Sequence, residues 1–236
     1  MHRPPPLAGR RIIELGTMLA APFAAHILSQ LGAEVIKVEP QRGDPTRSLV
    51  RGGPSGTFIA YSHGKKSVCI DLAQPDGHAA FCQLLRSADA LVHNLAPKAA
   101  RKLKLTREDC AAVNPKLIYC HIRGYAAGPQ GDDLASNPVA EASTGVMEAN
   151  IVNGRPSRLG PSYHDQFAGA YAVIGLLGSM LQARDGEPAQ PVEIGLYETG
   201  LHVASRDLVA VQLKTQLLGR PEREPNGEFS MPGYGA

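Results

Sequence analysis

A chain of 236 residues can bury a substantial core, and its 43% hydrophobic and 19% charged residues exclude disordered and fibrous classes. Lys and Arg number 24 against 22 Asp and Glu, a net charge of +2, so no global field draws the chain to nucleic acid or to acidic membranes. The four cysteines, Cys69, Cys82, Cys110 and Cys120, show no CxxC spacing, and the Pro-rich lead MHRPPPLAGRR has no apolar signal core, so a reducing cytoplasm is the expected setting.

After that lead, RIIEL (Arg11 to Leu15) reads as a strand. Pro22 to Leu31 reads as a helix, with Pro22 in its first turn, Phe23, Ile27 and Leu31 on one face and Gly32 as its stop. EVIKVE (Glu34 to Glu39) is a second strand, and the three form a βαβ unit with a parallel pair. The basic, Gly-rich loop from Gln41 to Gly56 is expected to be ordered only by partners or ligand. SVCIDL is then a strand, GHAAFCQLLRSA a helix, ALVHNL a strand, and Thr106 caps a short helix ending near Val113. KLIYCHIRGY is another strand, and the stretch from Gln190 to Leu217 predicts one more strand and one long amphipathic helix. Such alternation predicts an α/β fold with a Rossmann-like doubly wound sheet. The final residues, GRPEREPNGEFSMPGYGA, are polar, turn-rich and without a core pattern.

One carboxylate stands apart. Asp165 opens PSYHDQFAGAYAVIGLLGSMLQAR, where Ala168, Ala172, Gly175 and Ser179 form a stripe of small side chains against which another backbone can pack. Leu, Ile, Val and Met fill most of the remaining faces, so this helix is expected to be buried on all sides. Its strictly apolar run is too short for a bilayer, which needs about 20 residues, and Arg184, Asp185 and Gly186 end it. The simplest role for Asp165 is a helix cap or first-turn acid stabilised by the helix dipole. The same dipole is expected to keep it deprotonated, which a carboxylate nucleophile requires.

Common nucleotide and hydrolase motifs are missing. The first βα turn, ELGTMLAAPF, has one glycine where a dinucleotide fingerprint has three. Glu39 stands where a ribose-binding acid would, but alone it is weak evidence, and an exposed strand-end Glu is the preferred reading. HGKKS fails the phosphate-loop spacing, and there is no HExxH, GxSxG or Cys/His ligand cluster. His26, His63, His78, His93, His121 and His202 are scattered. Metal: none is expected.

Five segments in register resemble family III CoA-transferases: LAAPFAAHILSQLGAEVIKVEPQRGDPTR, GKKSVCIDL, VHNLAPKAARKLKL, NPKLIYCHIRGYAAGP and DQFAGAYAVIGLLGSMLQAR. The likeness runs from about Leu7 to Ala236. It implies a CoA-binding large domain over residues 1–200, then, over 201–236, a linking helix and the lead-in to a small domain that the chain seen here lacks. The resemblance also implies that Asp165 attacks an acyl-CoA thioester, forming an acyl anhydride and then an aspartyl-CoA thioester, before a second carboxylic acid leaves as the new CoA ester. Acyl-CoA and coenzyme A are then substrates, with no tightly bound cofactor.

Carried over by position, Leu19 and Ala20 line the CoA pocket after the first strand. Ile70, Asp71, Leu72 and Ala73 lie beside the adenosine, and Asn94, Leu95 and Ala96 match another ligand-lining segment, with Leu95 in place of the usual Phe. Lys102, Arg123, Gly124 and Tyr125 match positions near the phosphates and thioester arm, although a solvated surface charge explains Lys102 equally. Some members have Gln where Leu19 stands and Arg where Pro40 stands, so acyl specificity is expected to differ. A racemase branch of the same fold uses a His where LASNPVAEASTG has Asn137, which favours acyl transfer over racemisation. The family forms interlocked homodimers, so a second copy or a partner chain is implied. A non-catalytic CoA-binding remnant or a subunit of a split transferase is the competing reading, and a Rossmann-type oxidoreductase would have to bind NAD(P).

Overall fold

The computed structural model describes residues 3–53, 55–184 and 188–218. In chain order it runs β1 (Arg11–Leu15), α1 (Ala20–Gln30), β2 (Glu34–Glu39), a 3-10 turn (Pro45–Ser48), α2 (Gly56–Ser62), β3 (Lys66–Cys69) and α3 (Pro75–Arg86). There follow β4 (Ala90–His93), α4 (Pro97–Lys102), α5 (Arg107–Val113), β5 (Ile118–Arg123), α6 (Asn137–Ser143) and a small hairpin, β6 (Ile151–Val152) with β7 (Arg155–Pro156). The last elements are α7 (Tyr163–Arg184), β8 (Val192–Gly195), α8 (Leu196–Val203) and α9 (Ser205–Leu218). Helix α8 spans the boundary expected at residue 200.

Six strands form one sheet in the order β3-β2-β1-β4-β5-β8, and every pairing is parallel. Alternate residues face opposite layers, as the twofold period of a strand requires. Ile12, Val35, Val92 and Cys120 pack with Ala24, Leu28, Ala172 and Leu176 of α1 and α7. Ile13, Val38 and Leu91 pack with Phe81, Leu85 and Cys110 of α3 and α5. The chain winds outward from β1 to β3, returns to the centre, and winds the other way through β4, β5 and β8. Its switch point therefore lies between β1 and β4, where the turns after two neighbouring strands diverge and leave a crevice.

Four sequence expectations change. Helix α7 is not buried on all sides: Ile174 is 64% and Leu181 60% exposed, because α1 and the sheet cover only the small-residue side. The long C-terminal helix is two, since α8 closes on Ala204, whose backbone N–H bonds the Gly200 carbonyl, before α9 begins. The loop after β2 is held by its own chain: Asp44 accepts from the Thr46 backbone N–H and hydroxyl at 2.9 and 2.7 Å, and Ser55 donates to the Thr46 carbonyl at 2.6 Å. Glu39 is buried rather than exposed, with Arg47 bound across both its oxygens at 2.7 Å. The tail from Gly219 to Ala236, including MPGYGA, lies outside the described residues, as do Asp185 and Gly186.

Candidate functional site

The stations singled out from the sequence lie where a doubly wound sheet binds ligands, beyond the carboxyl ends of its strands. Leu19 and Ala20 follow β1, Ile70 to Ala73 follow β3, Asn94 to Ala96 follow β4, and Gly124 and Tyr125 follow β5. The stations at β3 and β5 are four strand spacings apart, about 19 Å at about 4.8 Å each. Only an extended ligand reaches all of them.

The turn after β1 is tightly built. Met18 takes a left-handed φ of 64°, unusual for a residue with a Cβ, and it stands exposed at the crest of the turn. Gly16 beneath it admits no side chain, since a Cβ there would lie 2.6 Å from that of Ala21. Leu19 is half-buried at the start of α1, where its carbonyl accepts from Phe23, and Ala20 is buried.

Asn94 does not face an open pocket with its amide. Its Oδ1 accepts from Thr17 N and its Nδ2 donates to Thr17 O, both at 2.9 Å, which ties the β4 turn to the β1 turn across the switch point. Leu95 is fixed in the same manner. His121 Nε2 contacts its carbonyl at 2.8 Å, and its N–H donates to His93 Nδ1 at 3.4 Å. The two imidazole rings stack 4.1 Å apart, and burial lowers both pKa values and keeps the rings neutral. Ala96 starts α4, and Lys102 in the last turn of that helix is exposed.

Asp71 shapes its own turn, accepting from Ala73 N at 3.0 Å, while Gly77 packs so tightly on the Asp71 carbonyl that a Cβ there would overlap it. Ile70 and Leu72 rest against the core on the α3 side. Arg123, expected as a cation near the ligand, is engaged within the chain. Its Nη2 donates to the Gly131 carbonyl and its Nη1 lies 3.3 Å from Glu193. It therefore braces the loop after β5, while its Nε has no hydrogen-bond partner among the described residues. Gly124 accepts from Tyr197 N, and the Tyr125 ring lies 5.5 Å from that of Tyr197.

Asp165 sits in the first turn of α7, one turn before Gly169 and on the same face. Gly169 lies directly on α1: a Cβ there would stand 2.7 Å from the Ala20 carbonyl. This close approach sets the early turns of α7 directly against Ala20 and Ala24 at the start of α1. Asp165 is not itself the cap. That role falls to Asn137, whose Oδ1 accepts from the backbone of His164 at 3.0 Å and of Asp165 at 3.3 Å. Asn137 Nδ2 in turn bonds the fully buried Glu141, which pairs with Arg158 at 3.5 Å.

Among the described residues no side-chain hydrogen bond reaches the Asp165 carboxylate. Burial pushes its pKa up to about 6; Arg158 opposes the rise and Glu141 adds to it. The expected control by the helix dipole is thus overturned by desolvation. A pKa of about 6 still leaves about nine-tenths of the groups ionised at pH 7. The site therefore offers an anionic oxygen with no side-chain hydrogen bond, one helical turn before the tight Gly169 contact with α1, and Gln166 on the next residue anchors α2 through the Tyr61 hydroxyl at 3.0 Å. Asn137 and Glu141 were not recognised from the sequence as partners of Asp165. Their only local signal is the four-residue spacing between them, which puts both on one face of α6.

The family model for CoA-transferase family III matches residues 7–236. The chain belongs to that family. It is 33% identical to the succinate–glutarate CoA-transferase of Agrobacterium fabrum, over 93% of this chain and 57% of that protein. It is 36% identical to the succinyl-CoA–D-citramalate CoA-transferase of Chloroflexus aurantiacus, over 84% of this chain and 51% of that protein. Among solved structures, a CaiB/BaiF family protein from Brucella suis superposes with a TM-score of 0.83 at 29% identity, covering 94% of this chain and 60% of that one. The chain thus spans little more than half the length of these relatives.

Proposed function

We propose that this chain is the CoA-binding and nucleophile-bearing part of a CoA-transferase, with Asp165 as the covalent nucleophile. The observation that carries this reading is a half-buried carboxylate that receives no side-chain hydrogen bond among the described residues, one helical turn before the Gly169 contact with Ala20 at the start of α1. Asp165 Oδ attacks the thioester carbonyl carbon, the C–S bond breaks, and CoA leaves as the thiolate. The thiolate then attacks the Asp165 acyl carbon of the mixed anhydride and expels the donor acid as a carboxylate, leaving an aspartyl-CoA thioester. An acceptor carboxylate attacks that thioester and again releases thiolate, which attacks the acceptor's carbonyl and frees Asp165. No proton is gained or lost over the cycle. A carboxylate with few hydrogen bonds is a better nucleophile than one in bulk water, and exclusion of water protects the anhydride.

CoA is a substrate in this reading, extended along the strand ends so that the adenosine lies toward Ile70 to Ala73 and the thioester toward Leu19 and Asp165. The names of the Agrobacterium and Chloroflexus relatives make succinyl-CoA the first donor to test, with short dicarboxylic acids as acceptors. Matched Chloroflexus proteins named as alpha and beta subunits of a succinyl-CoA–L-malate CoA-transferase favour a second reading in which this chain works with a second copy or a partner chain. The test is CoA titration by calorimetry together with a transfer assay. Binding by the unaltered chain and by Asp165→Ala, with transfer abolished in that variant, supports the proposal. Undiminished transfer by Asp165→Ala sinks it.

A further inference from the structure

Beneath the turn after β1 lies a closed group of four charged side chains. Lys37 Nζ donates to Glu14 Oε1 at 2.7 Å and lies 2.9 Å from Asp44 Oδ2, and Lys65 Nζ donates to Glu14 Oε2 at 2.6 Å. All four side chains are 2% exposed or less. Two cations face two anions, so the group is balanced without help from solvent. Burial opposes charge on both lysines. Glu14 and Asp44 outweigh it at Lys37 and raise that pKa, whereas at Lys65 burial prevails and lowers it.

Buried ion groups of this kind are a poor source of stability, and well-packed apolar residues often serve as well or better. An apolar replacement would lose one thing, the grip on two backbone carbonyls. Lys37 Nζ also donates to the Gly16 carbonyl and Lys65 Nζ to the Pro22 carbonyl, each at 2.8 Å. Those carbonyls bracket the segment containing strained Met18 together with Leu19 and Ala20. With Asn94 holding both backbone groups of Thr17, the segment is fixed at four points. A residue in a sparsely populated conformation persists only where its surroundings over-determine it. Asp44 extends the same group into the loop after β2, where its backbone N–H donates to Glu39 Oε2 at 2.9 Å.

We infer that Glu14, Lys37, Asp44 and Lys65 form a positioning cluster that sets the CoA-contacting turn from Gly16 to Pro22 and ties it to the loop after β2. The inference rests on the CoA-binding role proposed above. The lysines act through the turn and do not touch the ligand.

The test measures CoA affinity by calorimetry and stability by thermal melting on the same proteins. Lys65→Met removes one grip and leaves the cluster with an excess anion. Glu14→Gln/Lys65→Met removes the same grip but restores charge balance around Lys37 and Asp44. A positioning role predicts that both weaken CoA binding roughly tenfold, the scale of one lost charge-assisted hydrogen bond, while the double variant regains melting temperature. Amide hydrogen exchange should rise in residues 17–23 of either folded variant and stay unchanged in α3. Lys66→Met, whose side chain pairs with Glu34 on the exposed sheet edge, should bind CoA normally. If the unaltered chain binds CoA and affinity recovers along with stability in the double variant, the cluster is merely structural and the inference falls. If the unaltered chain fails to bind CoA, the proposed function falls and takes the inference with it.

Discussion

Glu39 and Asp165 both lose water in this fold and end at opposite ends of the carboxylate range. Burial alone would raise both. At Glu39 it is outweighed by hydrogen bonds from Arg47, Ser67 and the Asp44 backbone, which bring the pKa down to about 2. At Asp165 burial stands nearly unopposed and the pKa rises to about 6. Desolvation thus makes a structural anion where donors converge and, in the mechanism we propose, a reactive one where they are withheld. The two groups also differ in what they hold. Glu39 fastens the loop after β2, whereas Asp165 fastens nothing and is itself positioned by Asn137 and by the Gly169 contact with α1.

Four experiments can break or sharpen this contrast. The largest effect is expected for Asp165→Asn in the transfer assay. Loss of a covalent nucleophile should reduce turnover by about a thousandfold or more, with CoA affinity preserved. Substituting Glu39 should act on stability instead. Glu39→Gln leaves Arg47 and buried donors short of their anion, and chemical denaturation should show a loss of about 3 kcal/mol near neutral pH. That stabilisation is fully present above the unfolded pKa of a Glu and is lost as the pH falls toward about 2.

The sign reverses at Asp165. Its folded pKa lies above the unfolded value, so the folded state holds the extra proton between about 4 and about 6 and pays a growing penalty as the pH rises through that window. Asp165→Asn should therefore stabilise the chain by about 3 kcal/mol at pH 8 and by almost nothing at pH 4, and activity of the unaltered protein should rise on a limb centred near 6. A flat stability difference across that range would refute the desolvation account. Gly169→Ala should cost about 1–3 kcal/mol, because a methyl group 2.7 Å from the Ala20 carbonyl drives α7 away from α1. Its effect on CoA affinity and on turnover should exceed that of Ile174→Gln on the open face of α7, which should change stability by no more than about 0.5 kcal/mol.

Much of the fold was legible because it rests on local periodicity. The strands Arg11–Leu15 and Glu34–Glu39 appear with the bounds read from the sequence, and Thr106 caps α5 through a reciprocal bond with Asp109. Helices α2, α4 and α6 were missed, each seven residues or fewer and too short to show a stripe. In the site, Asp165 stood out as a lone acid before an apolar run. Its cap did not, because Asn137 reaches it from 28 residues away and local patterns do not encode such pairings. Family resemblance pointed to Asn94 and Arg123, but not to the bonds that both side chains make to the protein's own backbone. The buried state of Glu39 was hidden for the same reason: Arg47 and Ser67 come to it from 8 and 28 residues further along the chain.

The claim that the weakly solvated carboxylate is the one that reacts can be tested by peptide mass analysis after incubation with succinyl-CoA. The account predicts an acyl or CoA adduct on the peptide containing Asp165, absent from Asp165→Asn and never found on Glu39. An adduct on another residue, or turnover with Asp165 unmodified throughout, would contradict it.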